Sequence, residues 1–241
     1  MMKRLRGVVL RVVKYKDSDV IVDMYTDLLG RASFAVRMPK RKTAGSGAAV
    51  WRPLSIVEFE CDVREQVRLL KPRDVRVLYN YMDMPYDPVK STVAMFLSEF
   101  LCAVLRDEGG SAPLFLFLTS SFEWFDRCSS SFADFHIVFL VRLSRFLGIY
   151  PNMEGYSSGA CFDLVSGCVC SVRPSHPHFL GPDDTDSMRL LLSVDYSSVS
   201  HLQFSRMLRR KTLELICDYY SLHVPGFPEL KSLSVLEAVF D

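Results

Sequence analysis

LRGVVLRVVKYKDSDVIVDMYTDLLGRASFAVR, residues 5–37, holds three short runs of strand character parted by two polar breaks. Residues 5–13 (LRGVVLRVV) and 20–26 (VIVDMYT) are β-branched or alternating. In residues 31–37 (RASFAVR), Ala32, Phe34 and Val36 face one way and Arg31, Ser33 and Arg37 the other, the period of two of a half-buried strand. Asp27-Leu28-Leu29-Gly30 is the turn between the second and third runs. Residues 54–62 (LSIVEFECD) and 66–71 (QVRLLK) add two more. Five short strands within residues 5–71, with no long helix among them, predict a small closed barrel.

The barrel region also holds the positive charge. Residues 1–79 carry 17 Lys and Arg against 9 Asp and Glu, a net of +8, whereas residues 80–241 carry 12 against 19, a net of −7. A basic field of this kind suits a polyanion, because Lys and Arg contacts to phosphates gain affinity by releasing counterions. Between strands three and four runs a loop, residues 38–52 (MPKRKTAGSGAAVWR), with Pro, two Gly and four basic residues. Arg37, Lys40, Arg41 and Lys42 there read in isolation as a solvated loop. Arg4, Arg6, Arg11, Lys14, Lys16 and Arg52 share the region and turn the reading to nucleic acid. Of the aromatic candidates for stacking on bases, Tyr15, Tyr25, Phe34 and Trp51, Phe34 lies on an apolar strand face and Trp51, beside the basic loop, is the better candidate.

From residue 74 the period changes to 3.6. Asp87-Pro88 opens a helix as N-cap and first-turn proline, and Val93, Phe96, Leu97, Phe100, Leu101, Val104 and Leu105 form its apolar stripe, stopped by Gly109-Gly110. Further helices are expected over 113–125, from Asp134 to Leu147-Gly148, over 185–192 and 200–220, and over 231–240. Residues 152–182 differ, being rich in Gly, Ser, Cys, His and Pro, with one small hairpin expected at 160–172. The chain thus reads as α+β, with residues 1–79 a barrel domain and 80–241 a mainly helical domain carrying the 152–182 insert.

An apolar fraction of 49% with 24% charged residues fits a folded globular protein and argues against disorder. No apolar run is long enough for a membrane span, and Lys14-Tyr15-Lys16-Asp17 cuts off the apolar start before it can serve as a signal peptide, so a cytoplasmic protein is expected. The seven cysteines are then mostly small buried hydrophobes.

Arg206, Arg209, Arg210 and Lys211 form a second basic group, the first three on one helical face, suited to a phosphate backbone or an acidic peptide or simply solvated. Cys161, Cys168, Cys170, His176 and His178 invite a zinc site, but Cys-x6-Cys-x-Cys lacks paired Cys-x2-Cys knuckles and equally suits a buried hairpin face. Asp183, Asp184 and Asp186 read as a helix-capping loop. No GxxxxGK[ST] or HExxH is present, His136 and His201 sit on helical patterns, and nothing assembles a nucleophile with a base.

RGVVLRVVKYKDSDVIVDMYTDLLGRASFAV, the basic loop and PLSIVEFE together resemble the amino-terminal OB-fold of the RecO family of bacterial recombination mediators. PYDPVKSTVAMFLSEFL, FLGIYPN and YYSLHVPGFPELKSLSVLEAVF resemble its helical carboxy-terminal domain, in the same order along the chain. The resemblance implies a five-stranded OB barrel and a cytoplasmic, nucleoid-associated protein without catalytic activity. It further implies binding of single- and double-stranded DNA, strand annealing, and partnership with RecR and with the tail of single-strand binding protein, to help RecA load. Many members carry a four-cysteine zinc site after the segment matching FLGIYPN; residues 152–156 here have no cysteine pair, so no metal or other cofactor is expected. The DNA-binding expectation falls on Arg4, Arg6, Arg11, Lys14, Arg37, Lys40, Arg41, Lys42, Trp51 and Arg52, and the tail-binding expectation on Arg206, Arg209, Arg210 and Lys211. An RNA-binding OB protein with a helical docking domain, and an enzyme built in the 152–182 insert, are the alternatives of other classes.

Overall fold

The structure, a computed structural model, describes residues 1–16, 18–38, 49–63, 69–130, 132–199, 202 and 204–240. It holds two compact units, one of Met1–Arg127 with Glu229–Phe240 and one of Cys128–Pro228. The change of charge and period near residue 79 falls inside the first unit, where three helices accompany the strands.

Six strands make one sheet in the first unit: β1 (Met2–Lys14), β2 (Asp19–Thr26), β3 (Gly30–Arg37), β4 (Ile56–Asp62), β5 (Leu69–Leu70) and β6 (Pro72–Val77), in the order β5-β3-β2-β1-β4-β6. Five were expected. The part of the fifth at residues 66–68 lies outside the described residues, and only Lys71 separates β5 from β6. β5 runs parallel to β3 at one edge and β6 antiparallel to β4 at the other, so this stretch curls the sheet back on itself. Pro72, which has no N–H to give a ladder, and Asp74, at φ 49°, hide β6 from a reading of periodicity.

Alternation puts Leu5 and Val9 of β1, Val22 and Met24 of β2, Phe34 of β3 and Val57 and Phe59 of β4 into one core, with the Phe34 and Phe59 rings edge to face at 5.0 Å. Each such side chain contributes roughly 1.5–3 kcal/mol by leaving water. The β2–β3 turn is held by close backbone approach. A Cβ on Gly110 would stand 2.4 Å from the Leu28 carbonyl carbon, and one on Gly30, at φ +68°, 2.0 Å from the Glu108 oxygen.

α1 (Pro88–Val104) starts as expected, with the Asp87 carboxylate accepting from the Val89 and Lys90 amides at 2.8 and 2.9 Å. It ends at Val104, ahead of Gly109-Gly110. α2 (Ala112–Arg127) follows, and α6 (Lys231–Phe240) packs on α1, its first amides bonded to the Glu99 carboxylate.

The second unit holds α3 (Phe135–Phe146), α4 (Pro182–Leu192), α5 (Arg206–His223) and a small sheet of β7 (Cys161–Asp163), β8 (Cys168–Cys170) and β9 (Phe179–Leu180), ordered β8-β7-β9. The expected hairpin is β7–β8; β9 is additional. Phe162, Leu164 and Leu180 pack with Tyr219, and the Tyr219 and Tyr220 hydroxyls donate to the Ile149 and Leu140 carbonyls at 2.9 and 2.8 Å. Residues 200, 201 and 203 of the expected 200–220 helix lie outside the described residues, and α5 begins at Arg206 with Ser205 as its cap.

Candidate nucleic-acid interface

Arg4 and Arg6 leave β1 on the face away from Leu5 and Val9. A bulge between Val9 and Arg11 then shifts the register, so that Val9 faces Met24 and Arg11 faces Asp23. The extra residue turns Arg11 outward on the side of Arg4 and Arg6. Lys14, opposite Val20, leaves from the other face of the β1–β2 ribbon.

These cations are not equivalent. Arg4 lies 3.7 Å from Glu60; Arg6 pairs with Asp27 at 3.0 Å and stacks over the Phe115 ring. Arg11 and Arg31 share Asp23, which also accepts a 2.6 Å bond from the Ser33 hydroxyl. The Arg4–Glu60 pair is exposed and worth little, about 0–1 kcal/mol, so a phosphate can compete for that cation, whereas the Asp23 carboxylate beneath Arg11 and Arg31 is buried. Among the described residues, Lys14, Arg37 and Arg52 are exposed and make no ion pair. Lys40, Arg41 and Lys42 lie outside the described residues.

Trp51 is a correction. It keeps only 7% of its surface and joins the sheet core with Val9, Phe34 and Phe59, so it has no ring face to offer a base. Its place beside a basic loop suggests a surface residue; the core it fills is distant in sequence. The ring-bearing surface that periodicity does not single out is Tyr79, Tyr81 and Tyr86, which line a cavity with Arg52. The signal is present in YNYMDMPY, residues 79–86, as closely spaced tyrosines in a polar connector.

The α5 cations also separate. Arg209 is turned inward, its guanidinium donating to Asp134 at 2.7 Å and to the Phe204 carbonyl at 3.1 Å. Asp134, where the third helix was expected to start, stands at the N-cap position of α3 but gives its carboxylate to this pair and to the Phe204 amide and makes no cap bond. Arg210 bonds Glu214 at 3.0 Å and Lys211 bonds Asp184 at 2.7 Å; Arg206 is exposed. Of the apolar residues of α5, Ile216 and Tyr219 are buried, whereas Leu208 is 41% exposed. Leu208, Lys211 and Leu215 instead line an apolar cavity of about 620 Å³ shared with Met188 and Leu191 of α4.

In the insert, Cys161 lies opposite Cys170 and Asp163 opposite Cys168, on the face away from Phe162 and Val169. The cysteines are half-buried, so the packed face of the hairpin is the Phe162 face rather than theirs. Burial, and then the nearby Cys161 and Asp163, push the Cys170 thiol up. His176 stands 3.4 Å from Asp163. Among the described residues no group of three or more His, Cys, Asp or Glu is arranged to hold a metal ion, and no helix is long and apolar enough to cross a membrane.

Residues 1–81 match the model of the family described as Recombination protein O N terminal, and residues 85–234 match Recombination protein O C terminal. The chain is 43% identical to a DNA repair protein RecO of Phocaeicola vulgatus over 240 residues and 43% identical to one of Bacteroides fragilis over 242, with all of both chains covered in each case. A DNA repair protein RecO of Porphyromonas gingivalis is 29% identical over 98% of both chains.

Proposed function

The chain belongs to the RecO family, and from that premise we propose that it is a DNA repair and recombination mediator. It binds single- and double-stranded DNA through phosphates, anneals complementary strands and, with RecR, helps RecA load onto strands coated by single-strand binding protein. The observation that carries this reading is the +8 charge of residues 1–79 on a curled six-stranded sheet. We read the curled sheet as an OB barrel whose fifth strand is broken at Lys71. Lys14, Arg37 and Arg52 are the first phosphate ligands, with Lys40, Arg41 and Lys42 of the basic loop beside them in sequence. Arg4, Arg6 and Arg11 join by exchanging carboxylates for phosphates.

Annealing in this scheme needs no covalent chemistry. Cations lower the repulsion between two strands, and base pairing proceeds. The acidic, apolar tail of single-strand binding protein is received in the second unit, its apolar side chains in the cavity between α4 and α5 and its carboxylates at Lys211 and Arg206. Arg209 is withdrawn from that role by Asp134.

The test is annealing of complementary oligonucleotides, naked or coated with single-strand binding protein with and without its tail. Acceleration of naked and fully coated strands, but not of strands coated by the tail-less protein, is expected. No acceleration of naked strands would refute the annealing role. A preference for RNA over DNA in the same assay would favour the RNA-binding alternative.

A further inference from the structure

A cavity of about 510 Å³ in the first unit is lined by Arg52, Ser55, Tyr79, Asn80, Tyr81 and Tyr86, among others, and phosphate contacts alone give it no purpose. Two of its rings are fixed. The Tyr79 hydroxyl donates to Asp126 at 3.1 Å, and the ring meets that of Tyr81 edge to face at 5.1 Å with the Arg127 guanidinium over it at 5.4 Å. Tyr81 donates to the Leu54 carbonyl at 2.7 Å. Burial pushes both phenols up, so they stay neutral.

Tyr86 is different. The residue is 75% exposed, yet its backbone is held by a 2.8 Å bond to the Asp83 carbonyl and sits one residue before the Asp87 cap of α1. A wet ring on an ordered backbone offers a stacking face at little entropic cost. Asn80 adds an exposed amide able to donate and accept, and Arg52 an exposed cation. A ring face, an amide and a cation around one cavity match the three parts of a nucleotide: base face, base edge and phosphate.

We propose that this cavity receives one unstacked base of a single DNA strand, with Tyr86 on its face, Asn80 on its edge and Arg52 on the adjoining phosphate. The inference rests on the DNA-binding reading above and adds to it a contact that duplex DNA cannot make, since a paired and stacked base is not available. A strand held there presents its neighbouring bases to a complement and leaves the site when its own base pairs.

The experiment compares two labelled single strands of equal length and charge, oligo-dT and its abasic counterpart, by fluorescence anisotropy. Wild type should bind oligo-dT more tightly. Tyr86→Ala should weaken oligo-dT binding by about tenfold, leave the abasic strand unchanged and leave the salt dependence of both unchanged. Tyr86→Trp should restore the preference, which separates stacking from any loss of fold. Binding of neither strand by wild type would overturn the DNA reading and this inference together. Binding of both strands with the preference untouched by Tyr86→Ala would overturn the base site alone.

Discussion

Asp126→Ala should destabilise the first unit more than any surface change, because one carboxylate holds the connector between sheet and helices. Asp126, 1% exposed at the end of α2, accepts from the Met82, Asp83 and Met84 amides at 2.9, 2.9 and 2.8 Å and from the Tyr79 hydroxyl at 3.1 Å. Alanine leaves all four donors without their acceptor. At about 1–3 kcal/mol for each buried group left unsatisfied, and less for those water can reach, the loss is roughly 3–4 kcal/mol. Asp126→Asn keeps one oxygen but points an NH₂ at two donors, Met82 N–H and Tyr79 O–H, and should cost about half as much. The pH dependence has a definite sign. Burial raises the Asp126 pKa, but the amides of Met82, Met84 and Asp83 and the Tyr79 hydroxyl outweigh it and hold the carboxyl below its ordinary value. Its contribution is therefore complete above the unfolded value, about 3.9, and is lost as pH falls through the lower folded value. Urea unfolding of wild type, Asp126→Ala and Asp126→Asn at pH 7 and at steps into the acid range measures both effects. A loss below about 1 kcal/mol for Asp126→Ala, or a gap between wild type and Asp126→Asn that does not narrow in acid, would refute the reasoning.

Gly110→Ala should lower thermal stability by roughly 2–4 kcal/mol, since its Cβ would lie 2.4 Å from the Leu28 carbonyl atoms; a melting temperature equal to wild type would contradict the close approach. Arg209→Ala, which strands Asp134 with its side chain only 6% exposed, should cost about 3 kcal/mol or more in denaturant titration; a loss under about 1 kcal/mol would contradict the buried pair. The purified protein should carry no stoichiometric zinc by elemental analysis, because no Cys-x2-Cys pair follows Pro151; zinc removed together with folding on chelation would overturn this.

Much of this architecture is local and can be read from the chain. Ala32, Phe34 and Val36 alternate, Asp87-Pro88 caps α1 with the expected bonds, and α6 spans the expected Lys231–Phe240. What escapes such a reading depends on residues distant in sequence. Trp51 next to a basic loop looks like a surface residue until Val9 and Phe34 close over it. Asp134 has the position of a helix cap, and only the fold brings it to Arg209. Charge counting pools all cations, but Asp23 and Asp27 engage Arg11 and Arg6, while Lys14, Arg37 and Arg52 stay exposed. β6 is hidden by Pro72 and Asp74, which break the alternation that identifies a strand.

The central claim is that exposed cations of residues 1–79 bind single-stranded DNA through its phosphates. It is tested most directly by titrating an oligo-dT strand at several salt concentrations with wild type and with the triple variant Lys14→Ala, Arg37→Ala, Arg52→Ala. Removing one phosphate ligand should flatten the slope of log affinity against log salt by about 0.7, so the triple variant should be shallower than wild type by roughly 2 units of slope. A slope identical to wild type would contradict the claim and move the DNA to another surface.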